Sequence, residues 1–233
     1  MASGLAADTP AEGVRRLLLD RSDRRNALDS ELASQLMAAL TDASQDSEVR
    51  ALVVASADPS VFCAGADLSI PDSERAALSD HLYEIYERMV TMTVPVVAVI
   101  EGPAVGGGAQ LALASDLRLG GPRARFRFPG AGHGLAVGMW GLPGLVGRGH
   151  ALEYCLTMRW VDAAEAATSG LLTRLVDEPA SAAVELAASL VALDTEAVAR
   201  VKRLAIEPDV RTALRQERDG NAGWQGSTKG FTR

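Results

Sequence analysis

The sequence predicts an α/β fold built on a mainly parallel sheet, and three observations lead to that prediction. Strand-like apolar runs alternate with helix-like segments along the 233 residues, which is typical of βαβ units. One run, Val94–Ile100, is continuously apolar, as expected of a strand covered on both faces. Aromatic residues make up only 4% of the chain and glycine occurs 22 times, so layers of helices and strands can approach closely.

The first half of the chain carries predicted strands and helices in alternation. Asp29 is a favourable N-cap, because a short carboxylate side chain can accept a hydrogen bond from the first helical turn. The leucines around and after it recur at four-residue spacing and mark one buried helical face. We predict strands over residues 14–19, 49–55 and 94–100, one helix from about residue 29, and another over residues 73–92.

The second half continues the alternation and then becomes helical. Asp162 and Glu165 resemble a capping box at a helix start, and Gly170 is a suitable helix stop. From about Asp194 the composition is helical and charged, which indicates a small C-terminal helical region, and the glycine-rich residues 224–233 are expected to be disordered. We predict strands over residues 116–119, 124–128 and 171–176, and helices over residues 109–114, from about 150, from 162 to 170, over 179–193 and over 195–207.

Charge and cysteine content exclude several classes of protein. The chain has 23 basic and 30 acidic residues, a net charge of −7, so nucleic acid is not an expected partner. Cys63 and Cys155 have no metal-like or CxxC spacing, and we expect neither a disulfide scaffold nor a bound metal. Residues 1–13 lack the features of a secretory signal, and residues 94–100 are too short to cross a membrane. We therefore expect a soluble, cytoplasmic protein.

Two loops at predicted strand ends are the candidate site. Residues 61–68 and the run Gly106–Gly108 follow neighbouring predicted strands, and ligands bind beyond the carboxyl ends of such strands. Glycines entering a helix expose N–H groups that suit an anion or a developing oxyanion, although they also simply permit a tight turn. A nucleotide-binding P-loop is excluded, because Ala109 and Gln110 stand where lysine and Ser/Thr are needed.

Six segments carry a further pattern: residues 24–28, 62–68, 95–108, 111–116, 145–148 and 162–171. In their order and spacing, over about residues 14–205, they resemble the crotonase superfamily, the enoyl-CoA hydratase/isomerase family. The resemblance implies a ββα spiral core over residues 1–193 and a C-terminal helical trimerisation region over 194–233. It also implies a homotrimer or a dimer of trimers that binds an acyl-CoA thioester, with no cofactor apart from the coenzyme A of the substrate.

The family's shared device is an oxyanion hole made of two backbone N–H groups. By motif position these are the amides of Ala66 and Gly107, and fixed donors of this kind stabilise an enolate or tetrahedral oxygen. Asp67 has a second reading, since a loop aspartate often caps nearby backbone amides. The positions expected to contact substrate are Ala27, Ala64, Asp67, Leu68, Gly106, Gln110 and Gly130.

The chain departs from family hydratases at two positions, where Gln110 and Gly130 replace glutamates. Hydration needs groups that activate water and protonate the α-carbon, so we expect it to be very slow or absent. Glutamates at both positions are expected to raise the rate, provided that residue 130 does not require a positive φ. His133 is the other candidate proton carrier, and its alternative reading is a histidine hydrogen-bonded within a glycine-rich loop.

These observations leave several functions open. The first is an acyl-CoA thioester-binding protein of fatty-acid or related acyl-CoA metabolism, with doubtful hydratase activity. The alternatives are an active enoyl-CoA hydratase/isomerase, or a related acyl-CoA lyase or hydrolase that uses the oxyanion hole and His133.

Overall fold

Two sheets and a set of surrounding helices make up the chain. The computed structural model describes residues 4–206 and 209–222. The strands are β1 (Gly4–Ala11), β2 (Val14–Asp20), β3 (Ala51–Ser56), β4 (Val96–Ile100), β5 (Pro103–Val105), β6 (Leu117–Gly120), β7 (Arg125–Arg127), β8 (Val161–Asp162) and β9 (Arg174–Leu175). The α-helices are α1 (Ser30–Gln45), α2 (Asp72–Thr91), α3 (Gly107–Leu113), α4 (Leu142–Thr157), α5 (Ala163–Ser169), α6 (Pro179–Val191), α7 (Thr195–Ile206) and α8 (Asp209–Gly220), and short 3₁₀ helices span Ser22–Arg24 and Pro129–His133.

The larger sheet has the order β1-β2-β3-β4-β6-β9, and every pair in it except β1 with β2 is parallel. The predicted parallel α/β arrangement is therefore confirmed. Strand β1 was not predicted, because its mixed small and polar residues show no alternation, and it is held by antiparallel pairing with β2. The smaller sheet contains β5, β7 and β8, and β5 was read from the sequence as part of a glycine turn.

The central strand β3 is apolar over residues 51–55 because both faces of the sheet are covered. Leu52 and Val54 point into the main core, where α1 and α2 also pack. Ala51 and Val53 point to the opposite face, which α6 covers with small side chains such as Ala187. Alternate side chains therefore enter different apolar layers, as expected for a buried parallel strand.

Two helices begin at the capping residues that the sequence predicts. Asp29 accepts a hydrogen bond from Leu32 N at the start of α1, and Asp162 accepts one from Glu165 N at the start of α5. The prediction of a helix from about residue 150 is wrong, because α4 begins at Leu142. Its glycine-rich first half looks like a loop in sequence, and Gly147 kinks the helix with a φ of 75°.

The C-terminal helices pack against α2 of the same chain. The Lys202 ammonium of α7 donates to the carbonyls of Met89 and Val94 at 2.9 and 3.1 Å and pairs with Asp116 at 2.8 Å. Burial lowers the pKa of this lysine and raises that of Asp116, although their mutual attraction opposes both shifts. The predicted C-terminal helical content is confirmed for the described residues, whereas Glu207 and residues 224–233 lie outside them.

None of the helices in residues 4–206 and 209–222 has the length and apolarity that a membrane crossing requires.

Candidate functional site

The loops that follow β3 and β4 meet at one edge of the sheet, because these strands are parallel neighbours. A cavity of about 230 Å³ lies between them. Ala27, one of the predicted substrate contacts, is not among its lining residues. The predicted site residues that line it are Ala64, Ala66, Asp67, Leu68, Gly106, Gly107, Gln110, Gly130 and His133.

The amides of Ala66 and Gly107 lie side by side at this cavity. Leu28 N donates to the carbonyl of Gly65 at 2.8 Å and Asp67 N donates to the carbonyl of Leu28 at 2.8 Å, so the pairing skips Ala66. Gly107 is the first residue of α3, where an amide has no acceptor within the helix. A Cβ on Gly107 would lie 3.4 Å from Ala66 N, and neither N–H donates to an acceptor in the described part of the chain.

Gly65 allows the two loops to approach this closely. Its φ is 93°, and a Cβ on it would lie 2.6 Å from the carbonyl oxygen of Val105. Val105 N donates to the carbonyl of Cys63 at 2.9 Å, and the Tyr86 hydroxyl donates to the carbonyl of Gly107 at 2.9 Å. The glycines therefore permit a tight turn, and the close approach also brings the N–H groups of Ala66 and Gly107 near each other. This geometry is compatible with both readings of the glycine-rich loop.

Asp67 lines the cavity, but its carboxylate is already occupied. One oxygen accepts from Ser69 N at 2.9 Å and Ser69 Oγ at 2.6 Å, and the other pairs with Arg21 at 3.2 Å. Burial alone would raise the pKa of Asp67, but these hydrogen bonds and the arginine outweigh it and lower the pKa. The geometry therefore favours the reading of Asp67 as a cap of nearby backbone amides. The neighbouring Leu68 side chain is 47% exposed.

Gln110 is buried at the inner end of the cavity. Its Oε1 accepts hydrogen bonds from Gly138 N at 3.1 Å and from Trp140 Nε1 at 2.9 Å. Because both partners only donate, they fix which end of the amide faces them. The side chain is neutral and firmly oriented, and it cannot act as a general base.

Gly130 leaves no room for a side chain, although its φ is not positive. A Cβ on Gly130 would lie 2.5 Å from Val137 Cγ2 and 2.9 Å from the carbonyl oxygen of Leu135. The loop after the 3₁₀ helix Pro129–His133 therefore fills the space that a glutamate side chain at residue 130 would need. The expectation that a glutamate at residue 130 raises the hydration rate overlooked this obstacle, which does not depend on φ.

His133 ends the same 3₁₀ helix and lines the cavity while half-buried. This position is compatible both with contact to a ligand and with a histidine hydrogen-bonded in its own loop, so its role stays a prediction.

Sequence reasoning missed a carboxylate that lies behind the cavity wall. Glu217 of α8 accepts hydrogen bonds from the Tyr83 hydroxyl at 2.9 Å, Gly138 N at 3.0 Å and Trp140 N at 2.9 Å. It is almost fully buried, and burial raises its pKa to about 7 despite these donors. No signal distinguished it, because α8 is rich in charged residues throughout.

Tyr83 and Asn221 complete this wall and line the cavity. The Asn221 amide donates to the Tyr83 hydroxyl at 2.9 Å and to the carbonyl of Ala136 at 2.7 Å. Burial is the main cause that raises the pKa of Tyr83, and the nearby Glu217 carboxylate raises it further. In the sequence, the tyrosines of α2 lie on or beside its apolar stripe and look like packing residues.

Comparison with known proteins gives consistent matches over most of the chain. A family model described as enoyl-CoA hydratase/isomerase matches residues 9–230. The probable enoyl-CoA hydratase echA6 of Mycobacterium leprae is 42% identical over 172 residues, which cover 72% of this chain and 69% of that protein. The probable mitochondrial enoyl-CoA hydratase 2 of Arabidopsis thaliana is 34% identical over 211 residues, covering 87% of this chain and 70% of that protein.

A solved structure agrees with these sequence matches. The crystal structure of an enoyl-CoA hydratase/isomerase from Xanthobacter autotrophicus Py2 gives a TM-score of 0.86 at 28% identity, covering 97% of this chain and 90% of that chain. The α/β crotonase fold with a helical C-terminal region, expected from the resemblance, is therefore confirmed. Fold, sequence and the extent of the family match agree, and the chain belongs to the enoyl-CoA hydratase/isomerase family.

Proposed function

We propose that the protein binds acyl-CoA thioesters with the thioester carbonyl between the amides of Ala66 and Gly107. The observation that carries this proposal is the pair of adjacent, unused N–H groups at the cavity. Hydrogen bonds of Gly65 and Asp67 with Leu28 hold the backbone at Ala66, and Gly107 is the first residue of α3. Both amides therefore need little rearrangement when a carbonyl oxygen arrives. Preorganised donors of this kind are the ones that stabilise negative charge on an oxygen.

The proposal includes weak or absent hydratase activity. By the family resemblance, Gln110 and Gly130 stand where hydratases carry glutamates. The Gln110 amide is neutral and already accepts two N–H donors, and Gly130 has neither a side chain nor room for one. Losing a general acid or base typically reduces a rate about 10²–10⁴-fold.

The second candidate is an active hydratase/isomerase, or a related lyase or hydrolase, that relies on the oxyanion hole. His133 favours it, because an imidazole at the cavity can both accept and donate a proton. The similarity to the probable enoyl-CoA hydratases of Mycobacterium leprae and Arabidopsis thaliana also favours it.

A calorimetric titration tests binding, and a hydration assay tests the second candidate. We expect butyryl-CoA to bind more tightly than free coenzyme A, because only the thioester offers a carbonyl to the two amides. Equal affinities would contradict the proposed site. Hydration of crotonyl-CoA with a kcat above about 10 s⁻¹, typical of metabolic enzymes, would favour the second candidate, and a His133→Ala variant would then test that residue.

We also propose that the protein is a cytoplasmic homotrimer or dimer of trimers. Large apolar side chains are exposed on α4 and α7, among them Leu156 at 67%, Val201 at 69% and Leu204 at 70%. Burial of such side chains between copies would support assembly. Light scattering that gives a mass near 24.4 kDa at micromolar concentration would contradict this proposal.

A further inference from the structure

We propose that Tyr83 and Glu217 form a proton-carrying pair, in which the Tyr83 hydroxyl exchanges a proton with the α-carbon of a bound acyl thioester and Glu217 stores it. This inference rests on the proposed function, because the thioester must first bind with its carbonyl at Ala66 and Gly107. It assigns to the site an activity, α-proton exchange, that needs neither of the glutamates of family hydratases.

The Glu217 carboxylate lies next to the position where a hydratase glutamate is expected. Gly138 N donates both to Gln110 Oε1 at 3.1 Å and to Glu217 Oε1 at 3.0 Å. One N–H therefore bridges the two side chains. Helix α8 therefore brings the carboxylate of Glu217 to the wall of the cavity where α3 presents the neutral amide of Gln110.

Tyr83 connects this carboxylate with the cavity. Its hydroxyl donates to Glu217 Oε1 at 2.9 Å, and Tyr83 itself is a lining residue, whereas Glu217 is not. The Gln110 side chain also hydrogen-bonds with the hydroxyl of Tyr83 and opposes the rise in its pKa, so these groups share one corner of the cavity. A proton that reaches the carboxylate from the cavity can therefore pass through the tyrosine oxygen.

The surroundings of Glu217 suit a group that alternately holds and releases a proton. Within the part of the chain that the structure describes, the titratable groups that face it are Tyr83 and Tyr86 from α2 and Cys155 from α4. The loop at 138–140 presents only backbone N–H groups to it, and Arg218 on its own helix pairs instead with acidic side chains of α2. No cation of residues 4–206 or 209–222 pairs with Glu217, and burial raises its pKa to about 7, so both protonation states are populated near neutral pH.

The proton transfer balances without any further reactant. The Cα–H bond of the thioester breaks, its proton moves to the Tyr83 oxygen, and the Tyr83 hydroxyl proton moves to the Glu217 carboxylate. The electron pair of the broken bond forms the enolate, whose oxygen accepts hydrogen bonds from Ala66 N and Gly107 N. The reverse transfer restores the thioester, with a solvent deuteron when the protonated carboxyl has exchanged in D₂O.

Deuterium exchange into butyryl-CoA, followed by proton NMR in D₂O, tests the pair, because a saturated thioester cannot be hydrated. For the wild-type protein we expect the α-CH₂ signal to disappear faster than in buffer alone. The exchange rate should increase with pH, with a midpoint at a pH of about 7 after correction for D₂O, as Glu217 ionises. Tyr83→Phe and Glu217→Gln should slow exchange about 10²-fold or more while butyryl-CoA still binds. Glu84→Gln, which also removes a carboxylate between α2 and α8 but lies outside the cavity lining, should exchange like wild type.

The outcomes separate this inference from the proposed function. Binding of butyryl-CoA without exchange would overturn the proton-carrying pair alone, and absence of binding would overturn both proposals. If Tyr83 and Glu217 only hold the fold together, their variants would lower the melting temperature and leave the exchange rate and its pH midpoint unchanged. Tyr83→Phe removes a single oxygen, so it remains informative if Glu217→Gln does not fold.

Discussion

The cavity has two walls that are built in different ways. The wall at residues 63–67 and 105–107 presents backbone N–H groups, and main-chain hydrogen bonds such as Val105 N to the carbonyl of Cys63 hold it in place. The opposite wall presents side chains, namely Gln110, Tyr83 and Asn221, with Glu217 behind them. The backbone wall depends on the local shape of two loops, whereas the side-chain wall depends on residues from α2, α3 and α8.

This difference predicts which wall tolerates change. A backbone donor persists under most substitutions because every residue except proline carries it. A side-chain wall can lose or gain a chemical group with one substitution, as the neutral Gln110 and the buried Glu217 illustrate. The two walls can therefore diverge in function while the fold stays the same.

Removal of one backbone donor is expected to have the largest effect. Gly107→Pro deletes an N–H at the first position of α3, where proline is compatible with the helix. We expect binding of butyryl-CoA to weaken at least about tenfold, and any enolate-forming turnover to fall about 10²–10³-fold. Calorimetry and the exchange assay measure both quantities.

Gly107→Ala is the matched control, because it keeps the N–H and adds a Cβ 3.1 Å from the Tyr86 hydroxyl. Its loss of binding should be clearly smaller than that of the proline variant. Equal losses would mean that space, and not the donor, matters at this position.

Replacing Glu217, the buried carboxylate behind the side-chain wall, should change how the free energy of unfolding depends on pH. The pKa of Glu217 is about 7 in the fold and about 4.5 in the unfolded chain, so folding favours its protonated form. Its contribution to stability is therefore fully present below pH 4.5 and is lost as the pH rises through 7. Relative to Glu217→Gln, the wild-type free energy of unfolding should fall by about 3 kcal/mol across this window.

Urea unfolding of both proteins at several pH values measures this difference. Other carboxylates titrate equally in the two proteins and cancel in the comparison. A constant difference between pH 4.5 and 7.5 would show that Glu217 is not protonated by burial in the fold.

Filling the space beside Gly130 should have the next largest effect, a loss of stability. Gly130→Ala places a Cβ against Val137 and the carbonyl of Leu135, and overpacking of this kind typically destabilises by about 1–3 kcal/mol. Val137→Gly removes both the Cγ2 and the Cβ atoms of Val137, which the new Cβ would otherwise meet at 2.5 and 2.6 Å. In a double-mutant cycle, the combined variant should therefore be more stable than the sum of the single effects predicts.

Additive effects in this cycle would contradict the steric explanation. Gly144→Ala is a suitable control, since nothing lies within 4 Å of its added Cβ, and it should be neutral or slightly stabilising.

The smallest effect is expected at the surface contacts that hold α8 on α2. Glu87 accepts from Arg211 at 3.2 Å and from Arg215 at 3.1 Å, and these groups are partly exposed. Glu87→Gln should lower the free energy of unfolding by only about 0.2–1 kcal/mol, and by less at high salt. The exposed Glu185 has no ion pair in the described residues, so Glu185→Gln should show no salt-dependent difference.

The fold could be predicted from the sequence wherever local pattern and burial agree. The apolar run in β4 and the caps Asp29 and Asp162 are strong signals because they depend on neighbouring residues. Strand β1 has no such pattern, since pairing with β2 decides its conformation. The first half of α4 was missed because its glycines suppress helical propensity while tertiary packing holds the helix.

The site residues differ in the same way: some have a local sequence signal and others do not. Ala66 and Gly107 could be identified because their loops have a recognisable sequence at a fixed spacing. Glu217 could not, because 134 residues separate it from Tyr83 and a charged helix normally faces solvent. The obstruction at Gly130 was equally hidden, since only the path of the following loop brings Val137 against it.

The hydrogen bond between Gly138 and Glu217 also has a consequence for biosynthesis, because 79 residues separate its ends. A ribosome releases the N-terminal portion first, so α2 and the 136–140 loop emerge long before α8. During that interval the amides of Gly138 and Trp140 lack their carboxylate acceptor. The nascent chain can therefore complete the backbone wall early, but it acquires a finished ligand pocket only after α8 has emerged and docked.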